Sequence, residues 1–275
     1  MNKLLLGLSG VVAVLAGGSA QAADLPVKAR PMAPALVAPA YSWTGCYIGA
    51  HAGGIWRHNN DTDITFVDGG SGATAAAAAG VIPLRFSSNA SSWLAGGQLG
   101  CNYQFAPNWV VGLETDLSGT HLDGGQTINT AVLGFFPLTS TASERMHWIG
   151  TTRGRLGWTP QGNVLLYATG GAAYANIDHT FIQNNIAGGG TVAINATDSA
   201  TQFGWTVGGG IEVLFGAWSL KGEYLYYDLG THNLSAPIPA APTTIFTAHF
   251  KDKGSIARVG LNYHFNLGGP VVARY

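Results

Sequence analysis

Trp205-Thr206-Val207-Gly208-Gly209-Gly210-Ile211-Glu212-Val213-Leu214-Phe215, Gly216-Ala217, then Trp218-Ser219-Leu220-Lys221-Gly222-Glu223-Tyr224-Leu225-Tyr226-Tyr227-Asp228-Leu229 is the stretch that decides the fold. In the first arm Trp205, Val207, Ile211, Val213 and Phe215 share one parity and Glu212 takes the other. In the second, Leu220, Tyr224 and Tyr226 oppose Lys221 and Glu223. Successive side chains of a strand point to opposite faces, so each arm reads as a strand with one apolar and one polar face. The tight Gly216-Ala217 connection makes the pair a hairpin.

The same pattern recurs along the chain. Eight candidate strands are Trp43–Trp56, Ser92–Phe105, Trp109–Gly119, Arg145–Trp158, Asn163–Asn176, Gln202–Phe215, Trp218–Leu229 and Ser255–Phe265. Their connections alternate in length. Short ones (Ala106-Pro107-Asn108, Thr159-Pro160-Gln161-Gly162, Gly216-Ala217) follow the second, fourth and sixth strands; long ones, Arg57–Ser91, Thr120–Glu144, Ile177–Thr201 and Gly230–Gly254, follow the others. Short turns at one end and long polar loops at the other predict an eight-stranded antiparallel up-and-down transmembrane β-barrel, with short periplasmic turns and long external loops. Within the first long loop the Ala75–Ala79 run reads as loop, with a short helix as the alternative.

The remaining composition agrees. Lys3, the apolar Leu4–Ala16 and Ala20-Gln21-Ala22 make a secretory signal peptide over residues 1–22, with Ala23 opening the mature chain. The apolar run is too short for a membrane-spanning helix. Residues 23–42 carry Pro26, Pro31, Pro34 and Pro39 and read as a linker, leaving 43–275 for the barrel. Without Lys3 the chain has 12 basic and 14 acidic residues, which gives no basic footprint for nucleic acid. Charged residues are 10%, against about 25% in ordinary soluble domains.

Parity also separates an inside from an outside. Glu114 and Asp116 oppose Trp109, Val111, Leu113 and Leu117; Arg153 and Arg155 oppose Trp148, Leu156 and Trp158; Arg258 opposes Val259, Leu261, Tyr263 and Phe265. With Glu212, Lys221 and Glu223 the polar parity holds four acids and four bases, the balance an enclosed interior requires. Leu165, Leu166 and Tyr167 run consecutively, so the fifth strand gives no facing. Cys46 and Cys101 fall near the periplasmic ends of adjacent strands. A cross-strand disulfide, closing a loop of about 55 residues and worth ~4 kcal/mol if unstrained, and two free thiols are both open.

Ala22-Ala23-Asp24-Leu25-Pro26, Trp43-Thr44-Gly45-Cys46-Tyr47-Ile48-Gly49, Lys221–Gly230 and Gly269–Tyr275 are distinctive. The chain resembles the small outer-membrane β-barrel proteins, "porin family" or opacity-like surface antigens, of the rhizobial and Brucella group of alphaproteobacteria. The resemblance implies a surface protein of the bacterial outer membrane, surrounded by its lipid and lipopolysaccharide and folded by the barrel assembly machinery. Arg258, Gly260, Tyr263 and Phe265 are similar to that machinery's recognition signal, although ten residues follow Phe265 and Tyr275 is a second candidate for its terminal aromatic. Related barrels are joined to peptidoglycan through an amine at this place, so the resemblance also implies attachment at Ala23-Asp24.

No catalytic constellation stands out. His51, His147, His179, His232, His249 and His264 lack metal spacing, and Ser219 and His147 show no partners in sequence. No cofactor and no enzymatic activity are expected. The interior of an eight-stranded barrel is just wide enough for its own side chains. The expected function is therefore a structural, surface-exposed envelope protein, with a small porin or a loop-mediated adhesin as alternatives.

Overall fold

The computed structural model describes residues 41–265 apart from 58–59, 68, 71, 132–136, 186–190 and 240. The signal peptide, the linker up to residue 40 (with Ala23 and Asp24) and Tyr275 lie outside the described residues. The strands are β1 (Gly45–Arg57), β2 (Asn60–Val67), β3 (Arg85–Ser88), β4 (Ser91–Ala106), β5 (Trp109–Thr130), β6 (Leu138–Trp158), β7 (Val164–Asn185), β8 (Thr191–Phe215), β9 (Trp218–Ile238) and β10 (Ala241–Phe265). Every pairing is antiparallel, and β1 pairs with both β4 and β10, which closes the ring β1-β4-β5-β6-β7-β8-β9-β10. The ring has eight strands because β2 follows β1 along the same partner, β10.

The apolar parity faces outward. On β5 it runs Trp109, Val111, Leu113, Thr115, Leu117 and Gly119, then turns polar at His121, Asp123, Thr127 and Asn129. Ten steps of ~3.3 Å along a strand tilted ~40° cover roughly 25 Å, the height of an outer-membrane apolar band. Exposed Trp109, Trp158, Phe215, Trp218, Tyr263 and Phe265 ring the short-turn end; Trp93, Phe203, Trp205 and Tyr224 ring the other. These are the two aromatic girdles.

The four long connections are the main departure from the sequence reading. They are largely strand: β5 continues to Thr130, β7 to Asn185 and β9 to Ile238, while β6, β8 and β10 begin at Leu138, Thr191 and Ala241. The first connection holds β2, β3 and the helix α1 (Ala73–Ala78), so the alanine run is helical. Above the outer girdle the polarity inverts. Outward residues are mostly polar, with Val67, Ile182 and Ile245 as exceptions, and inward Ile64, Phe86, Phe181, Ile194, Leu234, Phe246 and Phe250 form an apolar core. In water a wall must bury its apolar side inside; in lipid it does the reverse.

Two bulges mark the change. β6 shifts register between Met146 and Trp148, and β9 shifts between Asp228 and Thr231, where Gly230 adopts φ 81°. That left-handed conformation favours glycine.

Candidate functional site

The barrel interior is the candidate site, and it is layered. At the periplasmic end Trp43, Val110, Leu165, Tyr167 and Leu214 form an apolar cap. Trp43 is 1% exposed and donates its indole Nε1–H to the Gly162 carbonyl at 2.7 Å. The fifth strand is settled here: Leu165 and Tyr167 point in and Leu166 points out.

Above the cap lie the eight charges. Glu114, Asp116, Glu212, Glu223, Arg153, Arg155, Lys221 and Arg258 have side chains at most 2% exposed. Glu114 is the hub. Lys221 Nζ donates to both its oxygens at 2.7 and 2.8 Å, Arg153 Nη2 to Oε1 at 2.6 Å and the Tyr47 hydroxyl to Oε2 at 2.5 Å. Arg153 also reaches Glu223 at 2.8 Å and Asp116 at 2.9 Å, and Arg258 binds Asp116 at 2.8 Å and Glu223 at 2.7 Å. Arg155 bridges to Glu212 at 3.0 Å and lies over the Tyr47 and Tyr167 rings at 5.0 and 5.2 Å. Four negative and four positive groups neutralise one another in a layer shut off from water.

Ser219 has partners after all: its hydroxyl donates to Glu212 at 2.5 Å and lies 2.8 Å from His264 Nε2. His264 turns the same nitrogen toward Glu212, at 3.5 Å, so the carboxylate does not orient the imidazole from its far side as a serine relay requires. Ser219 is moreover 0% exposed. His147 pairs with Asp178 at 2.8 Å on the outer wall.

A third layer is apolar, built from Ile55, Leu94, Leu122, Met146, Ile149, Ile177, Leu225, Tyr227 and Ile256 among others. Over it sits a second polar cluster whose Arg57, Glu144, His179 and Asp252 come from the four stretches expected to be long loops, and whose Gln202 opens the sixth expected strand. Arg57 contacts Glu144 and lies 3.5 Å from Asp252; His179 lies 3.4 Å from Asp252 and 2.6 Å from Gln202. Glu144, Asp252 and His179 stand above the apolar band, each flanked by outward polar neighbours. Burial, reinforced by the Asp252 charge, pushes the Glu144 carboxyl up to about 8, and burial likewise raises Asp252. One guanidinium cannot offset both buried carboxylates, which favours the protonated form of Glu144. Burial, with His232 and Arg57 adding to it, lowers His179 to about 3. The external apolar core covers this cluster.

Cys46 and Cys101 are directly opposite in the β1–β4 register and joined by a disulfide on the outward face of the short-turn end. On β10 Arg258 and Gly260 face the lumen, while Tyr263 and Phe265 face outward at the lower girdle.

The outer membrane protein beta-barrel domain family matches residues 10–265. The chain belongs to this family. The 31 kDa outer-membrane immunogenic protein of Brucella melitensis is 34% identical over 92% of the chain and 97% of its own length. An uncharacterized protein of Coxiella burnetii is 27% identical over 73% of the chain and 74% of its own. The outer membrane protein OprG of Pseudomonas aeruginosa aligns over 82% of the chain and 98% of its own, with TM-score 0.45 and 16% identity. This outer membrane beta-barrel protein accordingly resides in the bacterial outer membrane, embedded by its apolar band.

Proposed function

We propose that the protein is a closed, structural barrel of the cell surface that contributes to envelope integrity and does not serve as a general pore. One observation carries this reading: three apolar layers and two polar clusters follow one another through the lumen from Trp43 to Phe246. An eight-stranded lumen has room for its side chains and little else, and here those side chains are large and mutually bonded. The tall external walls supply exposed surface, which fits a relative named for its immunogenicity. In the same reading, lipid and lipopolysaccharide contact the apolar band, the assembly machinery reads the last strand through Arg258, Gly260, Tyr263 and Phe265, and Ala23-Asp24 links to peptidoglycan.

Purified barrel in planar bilayers tests the closure: small or absent conductance is the expected result, and stable large openings overturn it. A deletion strain tests the envelope role. It should gain sensitivity to bile salts and detergent, restored by the wild-type gene; unchanged sensitivity refutes it. Muramidase-digested sacculi that release no modified Ala23 peptide refute the peptidoglycan link.

A further inference from the structure

The external walls do not close into a ring. The β8–β9 ladder runs from Phe215↔Trp218 up to Trp205↔Asp228 and ends there among the described residues. Beyond it β8 stays paired with β7 as far as Thr191↔Asn185, and β9 stays paired with β10 as far as Ile238↔Ala241. The β4–β5 ladder likewise ends at Leu94↔Thr120. The outer end is therefore two four-stranded leaves, β5-β6-β7-β8 and β9-β10-β2-β3, sandwiching the phenylalanine-rich core.

The cause is local. β9 spends Leu229 and Gly230 opposite the single Asp252 of β10, and such a bulge bends its strand and increases its twist. At the fork β8 carries Gly204, where a Cβ would lie 2.0 Å from the Asp228 carbonyl oxygen and 2.6 Å from Leu229 Cα. The strands pass closely there and then part.

The two seams differ. At the β3–β5 seam the Ser87 N–H donates to Gln126 at 2.8 Å, and Thr130 donates to the Val81 carbonyl at 2.5 Å. β3 is only four residues long and begins on Arg85. At the β8–β9 seam one side-chain bond joins the edges among the described residues, His232 Nε2 to Asp198 Oδ2 at 2.9 Å, with His179 stacked on His232 at 4.8 Å. The β9 edge carries Pro237. The β8 edge, Thr-Val-Ala-Ile-Asn-Ala-Thr-Asp-Ser-Ala-Thr-Gln-Phe over 191–203, has no Lys, Arg or Pro, residues that commonly protect an edge. Its outward Asn195, Thr197, Ser199 and Thr201 are exposed, and its inward Ile194 and Ala196 are buried.

We infer that the free β8 edge above the outer girdle is a docking site for an extended, basic peptide segment of another protein, which pairs with it as an added strand. Above the fork the β8 edge is regular from Phe203 to Ile194 and bulges once, at Ala193; unpaired N–H and C=O groups along the regular part are met most completely by another strand. Charge gives the partner its sign: residues 176–185, 191–204 and 228–238 carry Asp178, Asp198 and Asp228 and no Lys or Arg. The incoming strand displaces the His232–Asp198 bond and presents lysine or arginine outward and small apolar residues inward.

The test uses a fluorescent peptide of alternating lysine and valine, titrated onto the full barrel in lipid nanodiscs and followed by anisotropy and amide hydrogen exchange. Saturable binding with new protection confined to alternate amides of 191–203 supports the proposal. Thr197→Lys with Ser199→Lys should weaken binding at least tenfold, while Thr127→Lys with Asn129→Lys, the same charge on β5, leaves it unchanged; heat-modifiable gel mobility confirms that each variant is folded. Binding without protection of 191–203, equal loss in both variant pairs, or no binding overturns it. Protection of those amides that grows with protein concentration in the absence of peptide assigns the edge to a second copy and also overturns it.

Discussion

Glu114 and Lys221 offer the sharpest test of the interior charge layer. Lys221 Nζ sits 2.7 and 2.8 Å from the two Glu114 oxygens, and neither side chain is more than 2% exposed. At ~3 Å and an effective dielectric constant near 20, the attraction of that pair is about 5 kcal/mol before repulsion from neighbouring like charges is subtracted. Glu114→Gln leaves four cations facing three anions and turns an amide N–H₂ toward ammonium and guanidinium donors. Lys221→Met keeps most of the side chain's length and leaves four anions facing three cations. Each single change should cost about 3–5 kcal/mol, the range for a buried charge deprived of its partner. The double variant restores neutrality, so its loss should fall short of the sum by about 2 kcal/mol or more. Urea unfolding in phospholipid vesicles, read by tryptophan fluorescence, gives all three numbers. Single variants within about 1 kcal/mol of wild type, or losses that add, would falsify the picture of a dry, mutually neutralised layer.

Three further outcomes are expected. His179, held near 3 against 6.5 unfolded, takes up a proton in the unfolded chain only, so stability falls as pH drops below about 6.5; Glu144, held near 8 against 4.5, stays protonated only when folded, so stability falls as pH rises from about 4.5 to 8. The opposed slopes cancel between about 4.5 and 6.5, and unfolding titrations should show Glu144→Gln flattening the limb from 6.5 to 8; an unchanged limb contradicts the raised Glu144 carboxyl. Gly230→Ala meets no atom within 4 Å and should cost only its backbone strain, about 1 kcal/mol, whereas Gly204→Ala collides with the Asp228 carbonyl and should cost about 2–3 kcal/mol; equal losses in the same unfolding assay contradict the fork geometry. Thiol titration of the denatured, unreduced protein should find no free sulfhydryl, and two would reject the Cys46–Cys101 bond.

The reach of the sequence follows from where the solvent changes. Within the apolar band a single rule holds, apolar out and polar in, and it sorts Glu212 from Ile211 and Arg258 from Val259 without knowledge of any neighbour. Above the outer girdle the rule reverses because water replaces lipid, so Ile245-Phe246-Thr247-Ala248-His249-Phe250 still alternates but with its buried parity opposite to that of Leu261 and Tyr263. Alternation measured against the lipid rule fades there, and strand reads as loop. The bulges at His147 and Gly230 add parity slips at the same height, which removes the register that would have tied Glu144 to Arg57. The second polar cluster was thus hidden twice, by inverted polarity and by slipped phase, although its members' neighbours carried the alternating signal. Leu165-Leu166-Tyr167 was silent for another reason: the inward face is itself apolar where it caps the lumen, so both faces look alike. Sealing a barrel with greasy layers and forking its walls into a watery sandwich both erase the contrast that reveals a strand in sequence, and in this chain those two features define the closed lumen and the free edge.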